Sequence, residues 1–179
     1  MEGKHCMKVV LTGKPGTGKT TVIKKVVLQL KEKAEGFYTE EFRDKTGKRE
    51  GFNVITLDGK KILLASKKIK TPFKVGSYSV NLEEFEETVL PALKRALNSR
   101  SIIIIDEIGK MELFSDRFAQ IVKDIFSDEN TTVIATVPVK NIHPIVSWIK
   151  KRPDVLLLEV DYKNRDTLPQ KILNILEKH

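Results

Sequence analysis

The sequence predicts an α/β protein: a doubly wound, mostly parallel sheet with helices on both faces and an early antiparallel β insertion. Three observations predict it. Lys8–Leu11, Ser101–Asp106, Thr131–Val137 and Asp154–Val160 are short runs apolar on both faces, as strands covered on both sides must be. Segments with a single apolar stripe at helical spacing alternate with them. Three further strand-like runs crowd together after the first helix, joined by turn-forming residues, which is the signature of hairpins.

Each element has a local reason. Lys8–Leu11 (KVVL) opens onto a glycine-rich turn. Lys19–Lys33 places Val22, Ile23, Val26, Val27 and Leu30 on one helical face. Gly36–Arg43, Gly51–Leu57 and Lys61–Ala65 read as strands, separated by Asp44–Arg49 and by the Asp58-Gly59 turn. Asn81–Asn98 reads as a helix with Asn81 as N-cap and four glutamates near the positive dipole end. Pro91 within it is expected to kink or split it. Glu112–Phe126 reads as one amphipathic helix, Pro144–Lys151 as a short one and Asp166–Lys178 as the last. No linker or repeat interrupts the 179 residues, so one domain over 1–179 is expected, with 36–65 as the antiparallel insertion.

Composition narrows the class. Hydrophobic residues make up 40% of the chain, yet no apolar run approaches the roughly 20 residues of a membrane span. Met1–Cys6 is polar and lacks the apolar stretch of a signal peptide. Cys6 is the single cysteine, so no intrachain disulfide is possible. The expectation is a cytoplasmic protein with no membrane partner. The net charge is +8, divided as +10 over residues 1–76 and −2 over the rest. That excess invites a nucleic-acid reading. Only seven of the 32 basic residues are Arg, and no basic-aromatic platform is present. A polynucleotide partner is therefore not expected, and no protein partner is evident.

The strongest motif is Gly13-Lys14-Pro15-Gly16-Thr17-Gly18-Lys19-Thr20, a full match to G-x-x-x-x-G-K-[ST] between a strand and a helix. The glycines let successive backbone N–H groups turn toward a phosphate, and the following helix adds its positive end. Lys19 is expected to reach the β- and γ-phosphates, and the Thr20 hydroxyl to ligate Mg²⁺. Four isoleucines then lead into Asp106, the strand-end carboxylate of a Walker B arrangement, expected to hold Mg²⁺ through water. Glu107 is the expected general base. A carboxylate beside Mg²⁺ stays ionised, which suits orienting a water. Thr136, at the end of the next buried strand, is a candidate reader of the γ-phosphate.

At Asp106–Ser115 (DEIGKMELFS) the sequence resembles the thermophile-type small nucleoside-triphosphatases, a P-loop NTPase family that includes the human cancer-related nucleoside-triphosphatase. The phosphate loop, Gly36–Glu41 (GFYTEE), Gly76–Val80 (GSYSV) and Asn164-Arg165-Asp166 match as well. The resemblance implies a RecA-like order, with a strand between the phosphate-loop strand and the Asp106 strand. It also implies Mg²⁺-dependent hydrolysis of ATP, GTP, CTP, UTP and TTP to diphosphate and phosphate. Base selectivity would be loose and diphosphates weaker substrates. The family pattern carries nucleotide contacts onto Gly13–Thr20 with Thr21, and onto Ile105, Asp106, Glu107, Ile108, Gly109, Lys110 and Met111. In the family the first strand begins close to the start, which leaves Met7 as an alternative initiator and Met1–Cys6 as an extension.

Phosphoryl transfer also needs positive charge at the γ-phosphate. Lys110, four residues after Asp106, is the expected catalytic cation, with Arg152 and Arg165 as further candidates. Lys14 is expected to face solvent, Tyr78 to cover the site or touch a base, and Phe37 and Tyr38 to pack the core edge. The alternative enzyme reading is a small-molecule or nucleoside kinase, against which stands the missing Arg-rich lid. The alternative from another class is a nucleic-acid-linked ATPase module.

Overall fold

A computed structural model describes residues 7–178; Met1–Cys6, with the lone cysteine, lie outside the described residues. The elements are β1 (Lys8–Thr12), α1 (Lys19–Gln29), β2 (Ala34–Arg43), β3 (Arg49–Thr56), β4 (Lys61–Ser66), β5 (Lys74–Val75), β6 (Tyr78–Val80), α2 (Leu82–Ser99), β7 (Ile102–Ile105), α3 (Asp116–Ser127), β8 (Val133–Thr136), α4 (Pro144–Lys151), β9 (Val155–Glu159) and α5 (Leu168–Lys178). The strands form one nine-stranded sheet in the order β5-β6-β4-β3-β2-β7-β8-β1-β9. β2, β7, β8, β1 and β9 run parallel; β3, β4, β6 and β5 extend the sheet antiparallel from β2. β8 lies between β1 and β7, the RecA-like order the resemblance implies.

Alternation along the strands sends side chains to two cores. Val10, Ile103 and Ile105 pack with Phe85, Phe118 and Val122 of α2 and α3. Val9, Leu11, Ile102 and Ile104 pack with Val22, Val26 and Ile172 of α1 and α5. Helices thus cover both faces, as the double apolarity of these strands requires. The approach of β2 to β7 depends on Gly36, at φ +128: a Cβ there would lie 1.9 Å from the Ile104 carbonyl oxygen. Among the described residues no helix is long and apolar enough to cross a membrane.

Several elements depart from the sequence expectation. α1 stops at Gln29, where Leu30 turns to extended backbone, rather than at Lys33. Pro91 does not split α2, which runs unbroken from Leu82 to Ser99. The proline sits on the exposed face, where water can take the carbonyl it leaves unpaired. Glu112–Phe126 is not one helix. A 3-10 turn at Glu112–Phe114 ends at Ser115, whose Oγ accepts from the Phe118 N–H at 3.0 Å and starts α3 afresh. α5 begins at Leu168 rather than Asp166, and the short strands β5 and β6 were not expected at all.

Candidate active site

The phosphate loop is built by the turn from β1 into α1. Gly18 caps α1 at φ +102, a conformation that favours glycine. Thr17 Oγ1 donates to the Lys14 carbonyl at 2.8 Å and braces the turn. α1 has no side-chain cap and no acidic residue in its first turn. Its leading N–H groups and its positive dipole end are therefore available to an anion.

Asp106, just past β7, is 2% exposed. Three donors meet its carboxylate. Thr20 Oγ1 donates to Oδ2 at 2.7 Å, Thr136 Oγ1 to Oδ1 at 2.7 Å, and the Thr39 N–H to Oδ2 at 3.4 Å. Burial pushes the carboxyl up from its ordinary range; those hydrogen bonds and the Lys19 charge oppose it. Thr136 thus spends its hydroxyl on Asp106, and is a holder of that carboxylate instead of the free γ-phosphate reader the sequence suggested.

Glu107 lies 3.8 Å from Lys19 Nζ. Burial raises its carboxyl, Lys19 lowers it, and the Asp106 charge raises it again. A third carboxyl, Glu112, is buried nearby and pushed well up, by desolvation first and then by the Glu107 charge. Sequence reasoning gave Glu112 no role, although it lies inside the DEIGKMELFS segment. Its burial on a 3-10 turn, rather than on the polar side of a helix, has no signal in the residue pattern.

Lys19 and Glu107 open onto a cavity of about 690 Å³. Gly13, Lys14, Pro15, Gly109, Lys110, Met111 and Glu112 line it on the loop side. The far wall is Thr39, Phe52, Leu64 and Val75 of β2 to β5, with Pro138–Lys140 and Ile142 after β8. The antiparallel extension is therefore one wall of the site. Lys14 is exposed at its mouth, as expected, and Lys110 is exposed on the same cavity.

Other predicted residues are placed differently. Thr21 is exposed in a separate cleft with Gly18 and Arg165. Ile105 and Ile108 are fully buried in the core, so only their backbone can face a nucleotide. Phe37 packs edge-to-face with Phe85 and Phe118 inside the core rather than at its edge. Tyr38 lies under Lys24, whose Nζ is 4.8 Å from the ring centroid. Tyr78 packs on Phe52 at 5.2 Å and does not line the cavity; it supports a wall and covers nothing. Arg152 is not a site residue. It precedes β9, at the amino edge of the parallel strands, paired with Asp154 at 2.9 Å and stacked on Trp148. Arg165 is at the carboxyl edge but beside Gly18, away from the cavity that holds Lys19 and Glu107.

The donor set fits a magnesium ion. A threonine hydroxyl and a carboxylate, both hard oxygen donors, stand together at the helix start. Mg²⁺ is commonly held by one or two such protein groups, with water and substrate phosphates completing the shell. Such a site needs no carboxylate cluster, and among the described residues no group of three or more His, Cys, Asp or Glu is arranged to hold a metal ion.

A strand, a glycine-rich loop and a helix start, faced by an Asp-Glu pair from a strand two places away, define a phosphate-loop nucleotide-binding protein of RecA-like order. The sequence pattern of the family described as NTPase matches residues 8–173. "Nucleoside-triphosphatase THEP1" of Aquifex aeolicus is 47% identical over 178 residues, spanning 96% of this chain and 100% of that protein. The crystal structure of THEP1 from that hyperthermophile superposes with a TM-score of 0.90 at 46% identity, over 96% of this chain and 99% of that one. The solution structure of a human cancer-related nucleoside triphosphatase gives 0.82 at 38% identity, over 97% and 98%. The chain belongs to this nucleoside-triphosphatase family.

Proposed function

We propose that the protein is a Mg²⁺-dependent nucleoside-triphosphate phosphohydrolase that releases diphosphate and phosphate. The observation that carries this reading is the meeting of Lys19 and Glu107, 3.8 Å apart, on the cavity beside the phosphate loop. A cation that grips the β- and γ-phosphates and a carboxylate that orients a water are the two protein groups that hydrolysis needs. The loop N–H groups and the start of α1 hold the phosphates. Glu107 accepts a hydrogen bond from the attacking water, the new P–O bond forms at the γ-phosphorus as the bond to the β-phosphate oxygen breaks, and the water's proton passes by way of Glu107 to the phosphate released. Lys19 and Lys110 neutralise the charge that develops. Thr20 and Asp106 would hold Mg²⁺, which supplies further charge stabilisation at the phosphates. Loose base selectivity and weaker use of diphosphates belong to the same reading.

Glu107→Gln is the test. Binding of a non-hydrolysable triphosphate should stay within a few-fold, while turnover falls by about 100-fold or more. Unchanged turnover would place the base elsewhere. Lys19→Ala should weaken both binding and turnover.

One observation favours a second reading. The cavity beyond Glu107 is far larger than an attacking water requires, and its wall is apolar at Phe52, Leu64, Val75 and Met111. A hydroxyl-bearing acceptor could replace the water there. Label from γ-³²P-ATP released as free phosphate supports hydrolysis; label recovered on an acceptor supports transfer.

A further inference from the structure

Two clefts flank the phosphate loop and share no lining residue. The larger carries Lys19 and Glu107, and since the loop lysine reaches the β- and γ-phosphates, it marks the γ end. The smaller, of about 270 Å³, is lined by Gly18, Thr21, Val22, Lys25, Arg165 and Asp166. A triphosphate laid along the loop with its γ end at Glu107 sends its α-phosphate, ribose and base toward Gly18 and Thr21.

Resting on the triphosphatase reading, we propose that Arg165, backed by Tyr162, is the platform on which the nucleobase stacks. The arginine is carried up to the loop: a Cβ on Gly18 would lie 3.4 Å from Arg165 Cδ. Its guanidinium sits 5.0 Å from the centroid of the Tyr162 ring, which is 68% exposed and lies outside the cleft. A guanidinium plane supported by a phenol offers a flat cationic surface to any π-face.

The segment that carries it is fixed in advance. Asp161 Oδ1 accepts from the N–H groups of Lys163 and Asn164 at 2.8 and 2.9 Å. Asn164 Oδ1 accepts from the Asp161 N–H at 2.9 Å, and its Nδ2 donates to the Glu159 carbonyl at 2.7 Å. The Arg165 N–H closes on the Asp161 carbonyl at 3.1 Å. Asn164 and Asp161 thus serve to hold Arg165, which gives the Asn164-Arg165-Asp166 match a physical purpose. Stacking reads the presence of a base and not its identity, so it binds all bases alike.

The test compares ligands with and without a base. Binding of ATP, GTP, CTP, UTP and inorganic tripolyphosphate is measured by calorimetry with Mg²⁺ for the wild type, Arg165→Ala and Arg165→Lys. The platform predicts that both variants weaken all four nucleotides by about tenfold and to a similar degree, while tripolyphosphate binding stays within about twofold. Arg165→Lys keeps the charge and removes the plane, so it must behave like Arg165→Ala. Equal losses for tripolyphosphate would make Arg165 a phosphate contact and overturn the proposal. Unchanged nucleotide binding, or full rescue by Lys, would also overturn it. A wild type that binds neither nucleotide nor tripolyphosphate would instead sink the triphosphatase reading, and the platform with it.

Discussion

Asp106 is held by three donors before any ligand arrives, and these fix the orientation of its carboxylate. Thr136 occupies Oδ1, while Thr20 and the Thr39 N–H share Oδ2. Groups that orient a ligand in this way commonly change metal affinity by 10- to 100-fold when removed. Thr136→Val keeps the shape and deletes the donor. It should raise the Mg²⁺ concentration needed for half-maximal hydrolysis by about tenfold or more. A wild-type requirement would reduce Thr136 to a packing role. Glu112 yields a second prediction. Its carboxyl titrates well above its unfolded value because it is desolvated and lies near Glu107. A group raised on folding contributes stability that is full below its unfolded pKa and is lost as pH rises through the folded one. In EDTA, Glu112→Gln should therefore gain melting temperature relative to the wild type as pH climbs above the ordinary carboxylate range. Parallel curves for the two proteins would show that Glu112 ionises without penalty. Neither behaviour was legible in the sequence, because one depends on which strand ends meet and the other on a 3-10 turn that buries Glu112.

The elements were legible where a local rule governed them. Both faces of β1, β7 and β8 are apolar, the glycine-rich turn separates β1 from α1, and α4 begins at Pro144 and ends at Lys151 as its residues predict. The misses have physical causes. β5 and β6 are two and three residues long, too short for a period to register. The break at Ser115 hides inside a continuous amphipathic pattern, and only the cap itself reveals it. The cavity wall at Phe52, Leu64 and Val75 comes from three strands brought together by antiparallel register, which no spacing rule encodes. Which flank of the loop Arg165 would reach was equally hidden. Pro91 offers the test at this scale. Its carbonyl partner at Glu87 lies in an otherwise unbroken helix, so Pro91→Ala restores an N–H donor there. Stability in urea should rise by about 1–2 kcal/mol, the helix gain exceeding the entropy that proline removes from the unfolded chain. A loss of stability would mean that the ring itself packs productively.

At the scale of the molecule, five of the 18 basic residues in the early segment pair with carboxylates of the same segment, which answers only part of the excess. Lys24 pairs with Glu40, Lys33 with Glu35, Arg43 and Arg49 with Glu41, and Lys68 with Glu50. These partly exposed pairs add little stability. The cations that line the cavity are Lys14, Lys19, Lys110 and Lys140. Their field should speed the entry of a triphosphate. The association rate of a fluorescent ATP analogue in stopped flow should fall by about tenfold from low salt to about 0.5 M salt. A salt-independent rate would leave these lysines without a steering role. The sheet order carries a different consequence, for the chain while it is being made. β1 is seated between β8 and β9, and Asp106 reaches Thr20 only across β8. The phosphate loop is synthesised long before either flanking strand, so a ribosome-bound chain carries its most recognisable motif on a strand that has no neighbour. On this sheet order, the strand that carries the loop gains its two neighbours only once β8 and β9 have been made. A nucleotide that binds the finished site would therefore stabilise the completed sheet rather than start it.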